Sequence, residues 1–387
     1  MKRMVAMLMV LASTGVMAQT SPTCSAAANE TKMSWPNATN PVWELCWLPP
    51  NRSSGPRGSG LELRNVYYMG KLILKRAHSP MLFADYRNGG GGNCYRDWKD
   101  SNSAFAAEAA VRNQLGTPTI TAKTNCDLSP HPTNAYGACP FTGNPVMTIP
   151  GAMCFTAGGV AIENLERDTG VVLTTQYTAG WYKYSARFYL YANGDFDSEM
   201  GFGNSDGTYN NTTHWHHNYW RLDFDLDGAN NDQFILNGTA QATEWAGLRR
   251  NGNTPNTFRV FDSTAGFGYD IDYAALEGVG PNESGRNFHL TDVIATQYKP
   301  AELADNPNWS LGDCTMAHGA LANNEALAGQ DIVLYYRGGA RDATANNWPD
   351  TTNPIPQDSM VCKVVRPRFK FVGTIGNNDV LLQNGFE

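Results

Sequence analysis

Short runs of alternating apolar and polar residues, separated by turn residues, fill the chain from Leu61 onward. LELRNVYY (61–68), KLILKRA (71–77) and MLFADY (81–86) each read as β-strands. VVLTTQY (171–177) and WYKYSARFYLY (181–191) lead to Asn193 and Gly194, a pair that tolerates positive φ and so predicts a tight hairpin. DFDSEMGFG (195–203) is its return strand, and RLDFDLD (221–227), QFIL (233–236), TFRVF (257–261), VIATQY (293–298), DIVLYY (331–336) and RFKFVG (368–373) follow. One helix is expected at 101–115, with capping residues before it, alanines within it and Gly116 to stop it. No helix alternation implies a parallel sheet, and no period repeats. The expected fold is all-β, a large antiparallel β-sandwich with one short helix.

Three segments divide the chain. Lys2 and Arg3, an apolar run to Val16 and the small-residue site ending at Ala18 read as a signal peptide, residues 1–18. Residues 19–60, rich in Ser, Pro, Asn and Gly, read as a loop-like N-terminal arm, and 61–387 as the sandwich domain. No other stretch has the ~18 consecutive apolar residues of a membrane helix. A secreted or periplasmic protein follows. All eight cysteines lie beyond the signal with no CxxC pair, which favours disulfides over a zinc ribbon; pairing of neighbours in order is the expectation. The net charge of −7, with no basic run, argues against nucleic acid and anionic membranes as partners. Gly89 to Gly92 lack a following Lys-Ser/Thr and read as a loop, not a phosphate cradle.

The chemistry concentrates in THWHHNYWRLDFDLDG (213–228). On one strand His214 and His216 share a face, while His217 points the other way with Asp223, Asp225 and Asp227. Imidazoles and carboxylates therefore predict two sites: one for Cu, Zn or Fe, one for calcium. The aspartates begin like an EF-hand loop, but Phe234 stands where its bidentate Glu belongs. Residues 203–207, GNSDG, fit the hydrolase pattern G-x-S-x-G but lie between strands and read as a turn.

Taken together, these segments resemble a shortened catalytic domain of the copper amine oxidases, the quinone-cofactor enzymes. His214 and His216 match the family's copper pair. Residues 221–228 match its calcium strand, making Asp223, Phe224 and Asp225 calcium-type positions. ATQYKPAE (295–302), NNEALAGQDIV (323–333) and VCKVVRPRFKF (361–371) match further family segments. The resemblance implies Asp331 in the first calcium site, Glu325 with Asn323 in a second, and a Cys139–Cys154 disulfide. It implies Tyr182, in TAGWYKY, as precursor of the quinone, with Trp181 and Lys183 where the family has Asn and Asp or Glu. Asp342 falls at the third copper position; a one-residue gap would put Arg341 there, and His78, His131, His289 and His318 are the remaining imidazoles. Between Leu115 and Cys139 the single carboxylate, Asp127, lacks the surroundings of the family's catalytic base.

The expected function is oxidation of small primary amines to aldehydes with copper and a Tyr182-derived quinone, in a homodimer by analogy. The alternative is an amine-oxidase-fold metal-binding module without quinone chemistry. A hydrolase or other metal enzyme on an altered His₂Asp site is the third reading.

Overall fold

The structure is a computed structural model describing residues 21–54, 59–86, 94–96, 130–131, 134–135, 160–179, 182–204, 214–251, 253–272, 291–300, 321–342 and 363–375. The expected signal, the helix at 101–115, Asp127, His289, His318 and the pairings of the six cysteines after Cys46 lie outside it. So do the glycine run and most of GNSDG. For Tyr182, His214, Arg341, Asp342 and His131 the backbone and register are described.

In chain order the principal strands are β1 (Thr31–Trp35), β2 (Trp43–Leu48), β3 (Glu62–Tyr68) and β4 (Lys71–Tyr86). Next come β5 (Ala161–Asn164), β6 (Gly170–Ala179), β7 (Tyr182–Tyr191) and β8 (Phe196–Asn204). Then follow β9 (His214–Phe224), β10 (Asp232–Leu236), β11 (Trp245–Gly247) and β12 (Phe258–Asp262). The last four are β13 (Phe267–Asp272), β14 (Val293–Gln297), β15 (Ile332–Asp342) and β16 (Arg368–Gly373). One sheet runs β1-β2-β3-β4-β9-β15-β14-β11, and the other runs β10-β12-β13-β16-β8-β7-β6-β5, all antiparallel along these paths. The Asn193 and Gly194 turn joins β7 to β8 as expected; Gly194 has φ +93°, and a Cβ there would lie 2.7 Å from the Tyr68 ring.

The sheets pack face to face over one apolar core that includes Trp220, Leu222, Phe224, Leu173, Phe188 and Phe369. Full burial of each such side chain contributes about 1.5–3 kcal/mol. Indole N–H groups also tie the layers together: Trp35 Nε1 donates to Asn164 Oδ1 at 3.0 Å, and Trp43 Nε1 to the Tyr191 carbonyl at 2.7 Å.

Two local expectations change. The loop-like reading of 19–60 gives way to β1 and β2, which extend the first sheet and bury Trp35, Trp43 and Leu45. The polar and proline-rich residues that masked this pattern flank those strands. KLILKRA and MLFADY are one strand, β4, running through Ser79 and Pro80, with a register shift against β9 at that point. Cys24 and Cys46 form a disulfide with Cα atoms 5.6 Å apart, the first of the in-order pairings.

Candidate metal sites on the two faces of one strand

β9 sits between β4 and β15. Its register with β15 is unbroken from His214 opposite Asp342 to Phe224 opposite Ile332. Unbroken register keeps strict alternation. His216, Trp220, Leu222 and Phe224 look toward the second sheet, whereas His217, Tyr219, Arg221 and Asp223 look away from it.

On the inward side, the Tyr184 hydroxyl lies 2.8 Å from His216 Nδ1, and both residues are buried. Tyr184 comes from β7, so this hydrogen bond crosses the sandwich. When Nδ1–H donates to the phenol oxygen, Nε2 is the lone-pair nitrogen of the ring, the tautomer a metal-binding imidazole needs. His214 lies two residues along the same strand, and β15 brings the Asp342 backbone opposite it. Tyr182 lies two residues before Tyr184 on β7. No motif marks Tyr184, although the two-residue strand period puts it in line with Tyr182.

On the outward side, Arg337 donates from Nη1 to His217 Nδ1 at 3.0 Å and pairs through Nη2 with Asp292 Oδ1. Because the guanidinium can only donate, Nδ1 accepts and a neutral His217 carries its proton on Nε2. The Arg249 backbone N–H donates to Asp292 Oδ2 at 3.0 Å. Burial pushes the Asp292 carboxyl up, but Arg337 and Arg249 outweigh it and hold the group below the ordinary range. His217 thus belongs to a charge network with Arg337 and Asp292 on the face of the strand opposite His216.

At the far end of β9, Asp223, Asp225 and Asp331 bring ligand atoms within 4.8 Å of one another, the one such group among the described residues. Arg221 Nη1 reaches Asp223 Oδ2 at 3.3 Å. Yet one oxygen of each of the three carboxylates is buried without a hydrogen-bond partner. Burial, then the Asp223 and Asp225 charges, push Asp331 up to about 8; burial, then Asp223, push Asp225 up to about 6. Asp232 stands close by: its Oδ1 is also buried and unpartnered, and burial pushes it up to about 9. No motif marked Asp232.

Asp227 does not join this group. The strand ends at Phe224, the Gly228 N–H closes a turn onto the Asp225 carbonyl at 3.3 Å, and Asp227 adopts φ +59°. The turn breaks the alternation assumed for 223–227. Asp227 instead pairs with Lys71 at 2.6 Å in a solvent-accessible position. The Phe224 side chain is buried in the core and carries no ligand atom, so the residue could offer a cation only its main-chain carbonyl. Glu325 lies in a separate acidic corner, in contact with Lys299, whose ammonium is 3.5 Å from Glu244.

No protein-family profile and no curated protein sequence matches the chain. Solved structures do. The copper-containing benzylamine oxidase of Hansenula polymorpha superposes with a TM-score of 0.58 at 13% identity, over 96% of this chain and 65% of the oxidase. Pichia pastoris lysyl oxidase gives 0.54 at 14% identity, over 89% of this chain and 52% of that one. Aspergillus nidulans amine oxidase gives 0.51 at 14% identity, over 87% and 52%. The chain spans less than two thirds of each of these enzymes. At such identities the likeness establishes architecture: this is an antiparallel β-sandwich with the fold of the amine oxidase catalytic domain.

Proposed function

We propose that this chain is a secreted copper-dependent oxidase of primary amines, with calcium as a structural cation. The observation that carries the reading is the buried Tyr184–His216 hydrogen bond, which fixes an imidazole between the sheets of an amine-oxidase-like fold. His214, His216 and Asp342 would hold the copper. Two imidazoles and a carboxylate form a donor set suited to a divalent transition metal. Copper with a quinone formed from Tyr182 would supply the redox chemistry that converts amine, O₂ and water to aldehyde, ammonia and hydrogen peroxide.

The protein's own contribution is positional. Tyr184 holds the His216 ring in one orientation, and the surrounding core keeps bulk water from that hydrogen bond. Asp223, Asp225 and Asp331, with the Phe224 carbonyl, would hold calcium. Their unpartnered buried oxygens fit a hard cation that takes carboxylate and carbonyl ligands.

The test is to express the mature chain, load it with Cu(II) in air and add phenylhydrazine. A coloured adduct that disappears in Tyr182→Phe, while copper content stays the same, is the expected result. A colourless protein that binds copper through His214 and His216 would replace this reading with the metal-binding module. Lys183, a cation beside Tyr182 in the sequence, is the feature that favours that second reading.

A further inference from the structure

The Glu325 corner has its own electrostatics. Glu244, whose side chain is fully buried, accepts the Gln297 N–H on Oε1 at 3.0 Å and the Asn323 N–H on Oε2 at 2.8 Å. Its backbone N–H donates to the Glu325 carbonyl at 2.9 Å, and the Leu327 N–H returns to the Ala242 carbonyl at 3.0 Å. Three separate stretches therefore meet at this carboxylate: the run into β11, the end of β14, and the loop at 321–330. That loop leads directly into Asp331. Lys299, from just after β14, puts its ammonium between Glu244 and Glu325.

We propose that Lys299 is a built-in cation that takes the place of a second metal ion, clamping the loop that delivers Asp331. A calcium ion bridging Glu244 and Glu325 would sit about 2.3–2.6 Å from oxygens of each. The ammonium already lies against both carboxylates, so a metal could enter only by expelling it. A tethered lysine loses no translational freedom on binding, and its charge is retained whatever the calcium concentration outside. The corner therefore stays closed in a calcium-poor medium, and calcium at the three-aspartate group acts on a loop already held at its other end. This assignment is independent of amine oxidation and of the calcium reading of Asp223, Asp225 and Asp331.

Calcium stoichiometry of the full mature chain, measured by native mass spectrometry and by calorimetric titration with CaCl₂, provides the test. Wild type and Glu325→Gln should bind equal numbers of ions, because Glu325 is occupied by Lys299. Lys299→Met should bind one ion more than wild type, and adding Glu325→Gln should remove that extra ion. Lys299→Arg, which keeps the cation, should retain wild-type stoichiometry. Asp223→Asn tests the three-aspartate site separately: its result alters the wild-type count without bearing on Lys299. Loss of an ion in Glu325→Gln alone, or no gain in a folded Lys299→Met, would overturn the proposal. Should Lys299→Met fail to fold, the comparison of wild type with Glu325→Gln still decides it, since Glu325 is partly exposed and not part of the core.

Discussion

Two stretches of the outward side of β9 bury charge in opposite ways. Around His217, Arg337 pairs with Asp292, and Arg249 adds a backbone N–H and a second cation. Around Asp223, three carboxylates converge on one another and one oxygen of each lacks a partner. Opposite charges offset one another in the first group, whereas like charges gather in the second. The same strand thus borders a set of paired opposite charges and a cluster of like charges a few residues apart.

Breaking the network of opposite charges should have the larger effect. Arg337→Ala removes the nearer of the two cations beside buried Asp292 and should cost about 3 kcal/mol in urea denaturation. That loss should be the same with calcium or with chelator; a loss rescued by calcium would erase the distinction between the two regions. Withdrawing calcium from the wild type should cost about 2.7 kcal/mol relative to calcium at about a hundred times its dissociation constant. Asp331→Asn should abolish that calcium-dependent increment, while Asp227→Asn, at the Lys71 ion pair, should preserve it.

The pH response sharpens the contrast. In the calcium-free chain, Asp225 and Asp331 have folded pKa values raised to about 6 and about 8, above the ordinary aspartate value of about 3.9. The folded state then binds more protons than the unfolded state between those limits. Stability is greatest when these carboxyls are protonated and falls as pH rises through 6 and then 8. Calcium competes with those protons, so its increment in Tm should grow from about pH 5 to about pH 8. A calcium increment independent of pH would remove these carboxylates from the site. Tyr184→Phe should be mildest for stability, about 1 kcal/mol, but should weaken copper binding about 10–100-fold as the His216 ring loses its orienting partner.

Much of this architecture is legible in one dimension. The Asn193 and Gly194 turn, the strand runs from Leu61 and the opposite directions of His216 and Asp223 all follow from local rules of turn chemistry and two-residue alternation. β1 and β2 escaped because polar and proline-rich neighbours hid short strands whose buried tryptophans find partners in the other sheet. Asp227 was misplaced because alternation stops where the chain turns, and the turn is closed by backbone hydrogen bonds. Asp232, Glu244 and Arg337 were invisible for another reason. Their importance arises from strands brought together over long sequence separations, which no local pattern records. Tyr184 was within reach of two-residue alternation, since it lies two positions along the strand from Tyr182, which the family resemblance had singled out.

The central claim is that β9 carries a nitrogen-rich transition-metal site on one face and an oxygen-only site on the other. The direct measurement is electron paramagnetic resonance of bound Cu(II), with calcium counted on the same samples, in His216→Ala and Asp223→Asn. The account predicts that His216→Ala loses the nitrogen-coupled copper signal and keeps its calcium, while Asp223→Asn loses calcium and keeps the copper signal. Loss of both ions together in either variant, or a copper signal without nitrogen coupling in the wild type, would contradict it.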